Sequence, residues 1–131
     1  MRWWLYIASL LTWLPLIAHA GRVEIVYAVF IQQGETWQVS TTLRHADTGW
    51  EHYADGWRVV DEAGNILGTR ELLHPHQNEQ PFTRTLSDIA IPSEAEIIYV
   101  EAHDKVHGWS PQRLRVVIQQ AQGDRFEVRK E

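Results

Sequence analysis

Short alternating runs of residues between turn signals are the feature that most restricts what this chain can fold into. After residue 21 a helical spacing of apolar residues is hard to find, whereas alternating and β-branched runs recur. In the run 36–44 (TWQVSTTLR), for example, every second residue from Trp37 to Leu43 would lie on one face of a strand. Gly34-Glu35 and Pro92-Ser93 are typical turn residues between such runs. The sequence therefore predicts an all-β domain.

Seven such runs are found, at residues 22–33, 36–44, 57–61, 66–73, 82–91, 96–103 and 112–120. Seven short strands in about 100 residues are typical of an antiparallel two-sheet sandwich of the immunoglobulin or fibronectin type III kind. A barrel of eight strands is the alternative, and it requires one more strand from the C-terminal segment. Residues 121–131 are polar, and we expect them to form a loosely held tail after a β-sandwich domain at 21–120.

The first twenty residues differ in character from the rest and look like a secretory signal peptide. Arg2 gives the positive start, residues 3–17 are uncharged and mostly apolar, and residues 18–20 (Ala-His-Ala) fit the small-x-small cleavage pattern. A membrane-spanning helix is the rival interpretation, but such a helix needs roughly 20 apolar residues and this run is shorter. Cleavage before Gly21 is expected, with a secreted or periplasmic product that leaves the membrane.

The composition excludes several classes of site. The sequence has no cysteine, so disulfides, thiolate ligands and cysteine-linked lipids are not available. Residues 21–131 carry all 17 acidic residues and all of the 12 basic residues except Arg2, so the processed chain is acidic. Nucleic acid is a poor partner for such a chain, because phosphate contacts need clustered Lys and Arg.

Six histidines fall in three of the predicted connections. Antiparallel strands place alternate connections at the same end of a sandwich, so the connections after the second, fourth and sixth predicted strands share one end. These connections, with the last residue of the sixth predicted strand, contain three pairs of histidines: His45 and His52, His74 and His76, and His103 and His107. They also contain four acidic residues: Asp47, Asp55, Glu79 and Asp104.

This concentration of imidazoles predicts a transition-metal site. Imidazole is a common metal ligand, and carboxylates complete such shells or orient the second ring nitrogen. His74 and His76 would point to the same side of an extended segment, and a loop could fold His103 and His107 onto one ion. Without cysteine, and with Met1 removed by cleavage, Zn(II) or Cu(II) is expected rather than Cu(I). We expect all six histidines to be ligands and the four acidic residues to support them.

Other interpretations of the same end stay open at this point. The histidines could order the loops through hydrogen bonds, with no metal bound. Trp50, Tyr53 and Trp109 lie in these connections too, where aromatic rings could bind an exported protein or a glycan, or could cover the end of the core. No catalytic triad or phosphate loop stands out, so an enzyme is not favoured and would need the metal to activate water.

Three stretches resemble a group of small secreted bacterial proteins without a known activity: HADTGWEHYADGW (45–57), LGTRELLHPHQNEQPFTR (67–84) and AHDKVHGW (102–109). The region that they span is about half of the chain. The resemblance implies a bacterial export setting and brings no activity with it.

Overall fold

The structure, a computed structural model, describes residues 21–131, so the expected signal peptide lies outside the described residues. This part of the chain is all-β and contains no helix. Its strands are β1 Glu24–Gln33, β2 Thr36–Arg44, β3 Ala54–Asp61, β4 Ile66–Glu71, β5 Phe82–Ile89, β6 Ile97–Asp104, β7 Gly108–Trp109, β8 Leu114–Val117, β9 Gln122–Gly123 and β10 Phe126–Arg129. Ten strands are present, not seven, because the short strands β7, β9 and β10 form in segments expected to be loop or tail.

The strands form two five-stranded sheets. The first has the order β5-β2-β1-β10-β9, and the second has the order β4-β3-β6, with β7 and β8 paired to successive parts of β6. Neighbouring strands are antiparallel except β1 and β10, which are parallel. Buried side chains of both sheets, such as Phe30 and Val39 from the first and Trp57 and Val100 from the second, belong to one hydrophobic core. The immunoglobulin or fibronectin type III kind of sandwich stays a prediction.

The expected alternation of side chains is present in β2. Trp37, Val39, Thr41 and Leu43 are buried, and the residues between them are partly exposed. Strand β6 shows the same period, with Ile98, Val100 and Ala102 on the core face. Because successive side chains of a strand point to opposite faces, each of these strands presents one continuous row of residues to the core.

The segment 121–131, which was expected to be a loosely held tail, includes β9 and β10. Phe126 and Val128 alternate along β10 and are buried. The Val128 amide donates a hydrogen bond to the Ala121 carbonyl at 2.8 Å. Burial of an apolar side chain stabilises a fold by roughly 1.5 to 3 kcal/mol. The burial of Phe126 and Val128 therefore explains why this mostly polar segment forms a strand.

The antiparallel pairing brings the histidine-containing connections to one end of the molecule. Glu24 at the start of β1 pairs with Arg44 at the end of β2, and Ala54 at the start of β3 pairs with Asp104 at the end of β6. We call this end, which consists of residues 21–23 and the connections 45–53, 72–81 and 105–107 together with the strand ends beside them, the histidine pole.

Candidate metal centre

The core-facing rows of two strands continue past the apolar core and end in ionisable side chains at the histidine pole. The row of β2 goes on, two residues at a time, to His45 and Asp47, which are 3% and 8% exposed. The row of β6 ends in Asp104, which is 1% exposed. The strand period therefore directs His45 and Asp104 toward the interior, at the point where the hydrophobic core ends.

His45, His52 and Asp104 lie close enough together to hold a metal ion. One potential ligand atom from each residue lies within 4.8 Å of the other two, and no other group of this kind is found in residues 21–131. The Nε2 atoms of His45 and His52 are 3.2 Å apart, and Nε2 of His52 is 3.3 Å from Oδ1 of Asp104.

The carbonyl oxygen of Gly21 lies at the same point. It is 2.7 Å from Nε2 of His45 and 3.0 Å from Nε2 of His52. Gly21 precedes β1, whose first residues pair with the end of β2, so the sheet brings this carbonyl to the two imidazoles. The histidine pattern did not point to Gly21, because a backbone oxygen leaves no signature in residue type.

A hydrogen bond to Asp47 orients the ring of His45. Its Nδ1 lies 2.5 Å from Oδ1 of Asp47, whose side chain is fully buried. The same carboxylate accepts hydrogen bonds from the backbone amides of Ala54 and His76. Nδ1 of His45 is placed to donate to this carboxylate, which leaves Nε2, directed at Gly21 and His52, as the potential ligand atom. A carboxylate behind a histidine in this way is the usual arrangement at metal sites.

Asp104 brings a negative charge to the cluster. Burial alone raises the pKa of its carboxyl, but hydrogen bonds from the His107 and Val106 amides and from the His107 ring outweigh burial, and the pKa lies below its ordinary value. All of these donors contact Oδ1. Oδ2 is buried and has no hydrogen-bond partner among residues 21–131. A buried anionic oxygen without a partner is costly, and a cation is one of the few groups that would relieve this cost.

His107 lies beside the cluster. Its Nδ1 is 3.1 Å from Oδ1 of Asp104, and its ring centroid is 5.1 Å from that of His52. Because Nδ1 faces a carboxylate, Nε2 is the nitrogen that stays available as a ligand. His107 therefore supports Asp104 directly and is placed next to the three-residue group.

His74 and His76 pack away from these three residues. The ring of His76 stacks on Phe82 with centroids 4.1 Å apart, and its Nε2 accepts a hydrogen bond from Arg84. Burial, the Arg84 guanidinium and His74 together lower the pKa of His76. His74 is exposed and contacts the His76 ring. The HxH spacing thus brings these two rings together, but it does not bring them to His45 and His52.

The two remaining acidic residues bind other partners. Glu79 lies 3.3 Å from Arg84, whose hydrogen bond lowers the pKa of the Glu79 carboxyl. Asp55 lies 2.5 Å from Nδ1 of His103, and the His103 ring contacts Trp109 edge to face. His103 precedes Asp104 in β6, so the strand period points it to the opposite face of the sheet from Asp104.

The three aromatic residues differ in exposure. Tyr53 is buried, whereas Trp50 packs edge to face on Tyr53 and is 65% exposed. Trp109 is 37% exposed and lies under the guanidinium of Arg58 at 3.7 Å. Tyr53 and Trp109 also line a cleft of about 360 Å³. Trp50 does not cover the end of the core, because most of its ring faces solvent.

Comparisons with known proteins give one related sequence. A protein of Halomicrobium mukohataei with the printed name "Putative lipoprotein" is 42% identical over 83 residues, which is 63% of this chain. The matched region is only 40% of that relative, so this chain spans less than half of its length. No family model matches, and no solved structure matches. Within residues 21–131 there is no helix long and apolar enough to cross a membrane.

Proposed function

We propose that this protein is exported and binds a transition-metal ion through His45, His52 and Asp104. The observation that carries the proposal is the convergence of two imidazole Nε2 atoms, 3.2 Å apart, beside the buried carboxylate of Asp104, whose Oδ1 lies 3.3 Å from Nε2 of His52. The ion would bind to the protein at the histidine pole.

The separations between the donor atoms agree with a common ion. Ligands about 2.0 to 2.1 Å from one metal ion are roughly 2.9 to 3.4 Å apart at tetrahedral or right angles. The His45 to His52 separation of 3.2 Å and the His52 to Asp104 separation of 3.3 Å fall in this range. A network of hydrogen bonds alone would need protons on both nitrogens of the His45 ring, because Nδ1 faces the Asp47 carboxylate and Nε2 faces the Gly21 carbonyl oxygen, whereas a metal ion at Nε2 needs only the neutral ring.

The type of ligand favours Zn(II) or Cu(II). Imidazole and carboxylate are ligands of intermediate or hard character, and both ions accept them. The four carboxylates expected to support the histidines contact different residues. Asp47 orients His45 directly, Asp104 is a proposed ligand, and Asp55 and Glu79 act on residues outside the three-residue group.

Export is supported by two independent observations. The expected signal peptide at 1–20 would direct the chain out of the cytoplasm. The relative in Halomicrobium mukohataei is described by its name as a lipoprotein, which is a class of exported protein. We place the processed chain in the periplasm or the extracellular space.

Calorimetry with single-residue variants tests the metal site. The full chain is expressed with export in a bacterial host, purified with chelator, dialysed and titrated with Zn(II) and with Cu(II). We expect about one equivalent of at least one ion to bind, and we expect His45→Ala and His52→Ala each to weaken binding by more than about a hundredfold, since even residues behind the ligands contribute 10- to 100-fold. Asp104→Asn, which keeps the shape and removes the charge, should weaken it as well.

His74→Ala is the matched control, because it removes an exposed imidazole of the same pole outside the three-residue group. It should bind metal as the unmodified protein does. Excess metal at about a hundred times its dissociation constant should stabilise the protein and this control by about 2.7 kcal/mol, and His45→Ala by less than about 0.4 kcal/mol. Equal binding by His45→Ala and the unmodified protein would refute the proposed ligand set.

The exposure of Trp50 favours a second candidate function, the recognition of an exported protein or a glycan. A tryptophan that is 65% exposed offers a large apolar surface at low entropic cost. In this case a glycan array should detect binding that Trp50→Ala abolishes and that chelator does not change. Loss of glycan binding on addition of chelator would refute a metal-independent recognition site.

A further inference from the structure

The backbone of Gly21 lies within the proposed metal site. Its carbonyl oxygen is the common neighbour of the His45 and His52 Nε2 atoms, at 2.7 and 3.0 Å. The 3.0 Å separation falls in the range for two neighbouring ligands of one ion, and the 2.7 Å separation lies about 0.2 Å below it. The Gly21 oxygen therefore belongs to the same set of donor atoms.

A side chain at position 21 would displace the His107 ring from this arrangement. A Cβ atom on Gly21 would lie 2.7 Å from Cε1 of His107 and 3.1 Å from Cε1 of His52. Glycine allows the backbone to approach the histidines closely, and close approach of a backbone to a ligand is a common reason for glycine.

Cleavage at the expected site would change the chemistry of the Gly21 nitrogen. Processing after Ala20 would make Gly21 the first residue and would turn its amide nitrogen into an α-amino group. The amino nitrogen and the carbonyl oxygen of one residue close a five-membered ring when both bind the same metal ion. A neutral amine is a good ligand for Cu(II) and Zn(II), whereas the amide of an unprocessed chain is not.

We propose that processing completes the metal site, with Gly21 as a bidentate ligand through its α-amino nitrogen and its carbonyl oxygen beside His45 and His52. This inference rests on the proposed function. With the Asp104 carboxylate, the two imidazoles, the amine and the carbonyl oxygen form a set of nitrogen and oxygen donors that suits the tetragonal geometry of Cu(II), so Cu(II) is the ion expected. The exported form, and not the precursor, would bind this ion tightly.

Selective isotope labelling tests the amine directly. The full chain is exported in a bacterial host grown with [15N]glycine, and mass spectrometry identifies the first residue of the product. One equivalent of Cu(II) is added, and electron-nuclear double resonance is recorded. We expect a product that begins at Gly21 and a strongly coupled 15N nucleus, because the Gly21 nitrogen would be bonded to the ion.

A chain with one additional serine directly before Gly21 is the matched comparison. It keeps both histidines and the Gly21 carbonyl but moves the α-amino group away by one residue. We expect its Cu(II) affinity, measured by competition with a chelator, to fall at least about tenfold, since the second donor of a chelate acts at high effective concentration. Gly21→Ala should weaken binding too, through the contact of its Cβ with His107.

The outcomes separate this inference from the proposed function. Cu(II) binding that His45→Ala abolishes, without 15N coupling and with equal affinity in the serine-extended chain, would overturn the role of Gly21 and leave the histidine site in place. A product that begins at another residue would also overturn it. If the unmodified protein binds neither Zn(II) nor Cu(II), both proposals fail.

Discussion

Asp47 connects three segments of the histidine pole through one buried carboxylate. Its Oδ1 is 2.5 Å from Nδ1 of His45 and accepts a hydrogen bond from the Ala54 amide at 3.0 Å. Its Oδ2 accepts a hydrogen bond from the His76 amide at 2.7 Å. Replacement by alanine would leave three donors without this partner, so Asp47→Ala should destabilise the fold even when no metal is present.

The size of the effect follows from these three donors. A buried donor left without a partner costs about 1 to 3 kcal/mol, and rotation of the His45 ring would recover part of the cost. We expect Asp47→Ala to lower the free energy of unfolding by about 3 to 6 kcal/mol, a large fraction of the 5 to 15 kcal/mol typical of a domain. Asp47→Asn should lower the free energy of unfolding by less than Asp47→Ala does, because its amide oxygen can accept from two of the donors. Its NH2 group would face the third donor and could not accept from it.

Urea unfolding of the exported protein in the presence of EDTA measures this difference. Asp124→Ala is the control, since the Asp124 side chain is 93% exposed, and its effect should stay within about 0.5 kcal/mol. Asp47→Asn, which should fold, is then titrated with metal, and its affinity should be about 10- to 100-fold lower because His45 is less well oriented. A loss of less than about 1 kcal/mol for Asp47→Ala would refute the assigned role of its three hydrogen bonds.

Two further predictions concern the core and His76. Trp57 is fully buried, so Trp57→Ala should lower the free energy of unfolding, measured with urea, by about 3 to 5 kcal/mol. Trp50 is mostly exposed, so Trp50→Ala should lower it by less than about 1 kcal/mol. Equal losses would contradict the assigned burial. Burial lowers the pKa of His76 below its usual 6.5. As the pH falls through about 6.5, the unfolded chain therefore takes up a proton at this residue before the folded chain does, and the folded state loses stability. With EDTA present, His76→Asn should lose less stability than the unmodified protein between pH 7.5 and 5.5, and an equal loss would show that His76 does not carry this dependence.

The all-β class could be predicted from the sequence because the period of two is strong in β2 and β6. The shared end of the three histidine connections follows from antiparallel pairing alone. The short strands were missed because two-residue strands such as β7 and β9 have no periodicity to detect. Strand β10 was missed because its apolar residues, Phe126 and Val128, alternate with charged ones in a short polar stretch.

The grouping of the histidines could be predicted only in part. The core-facing row of β2, continued past Arg44, already contains His45 and Asp47, and that of β6 contains Asp104 rather than His103. Extension of the strand period into the loops would therefore have selected these residues. The separation of His76 from them depends on its stacking with Phe82 and its bond to Arg84, which are contacts between side chains that spacing does not encode.

The parallel pairing of β10 with β1 determines where a tag can be attached without disturbing the proposed metal site. Both strands run away from Gly21, and the last residue, Glu131, accepts a hydrogen bond from the amide of Gly34 at the far turn. An affinity tag or a surface linker fused after residue 131 would thus emerge at the opposite end from the histidines. The same addition before residue 21 would lie directly on them, so if the proposed metal site is correct, immobilised protein should bind an ion only in the first orientation.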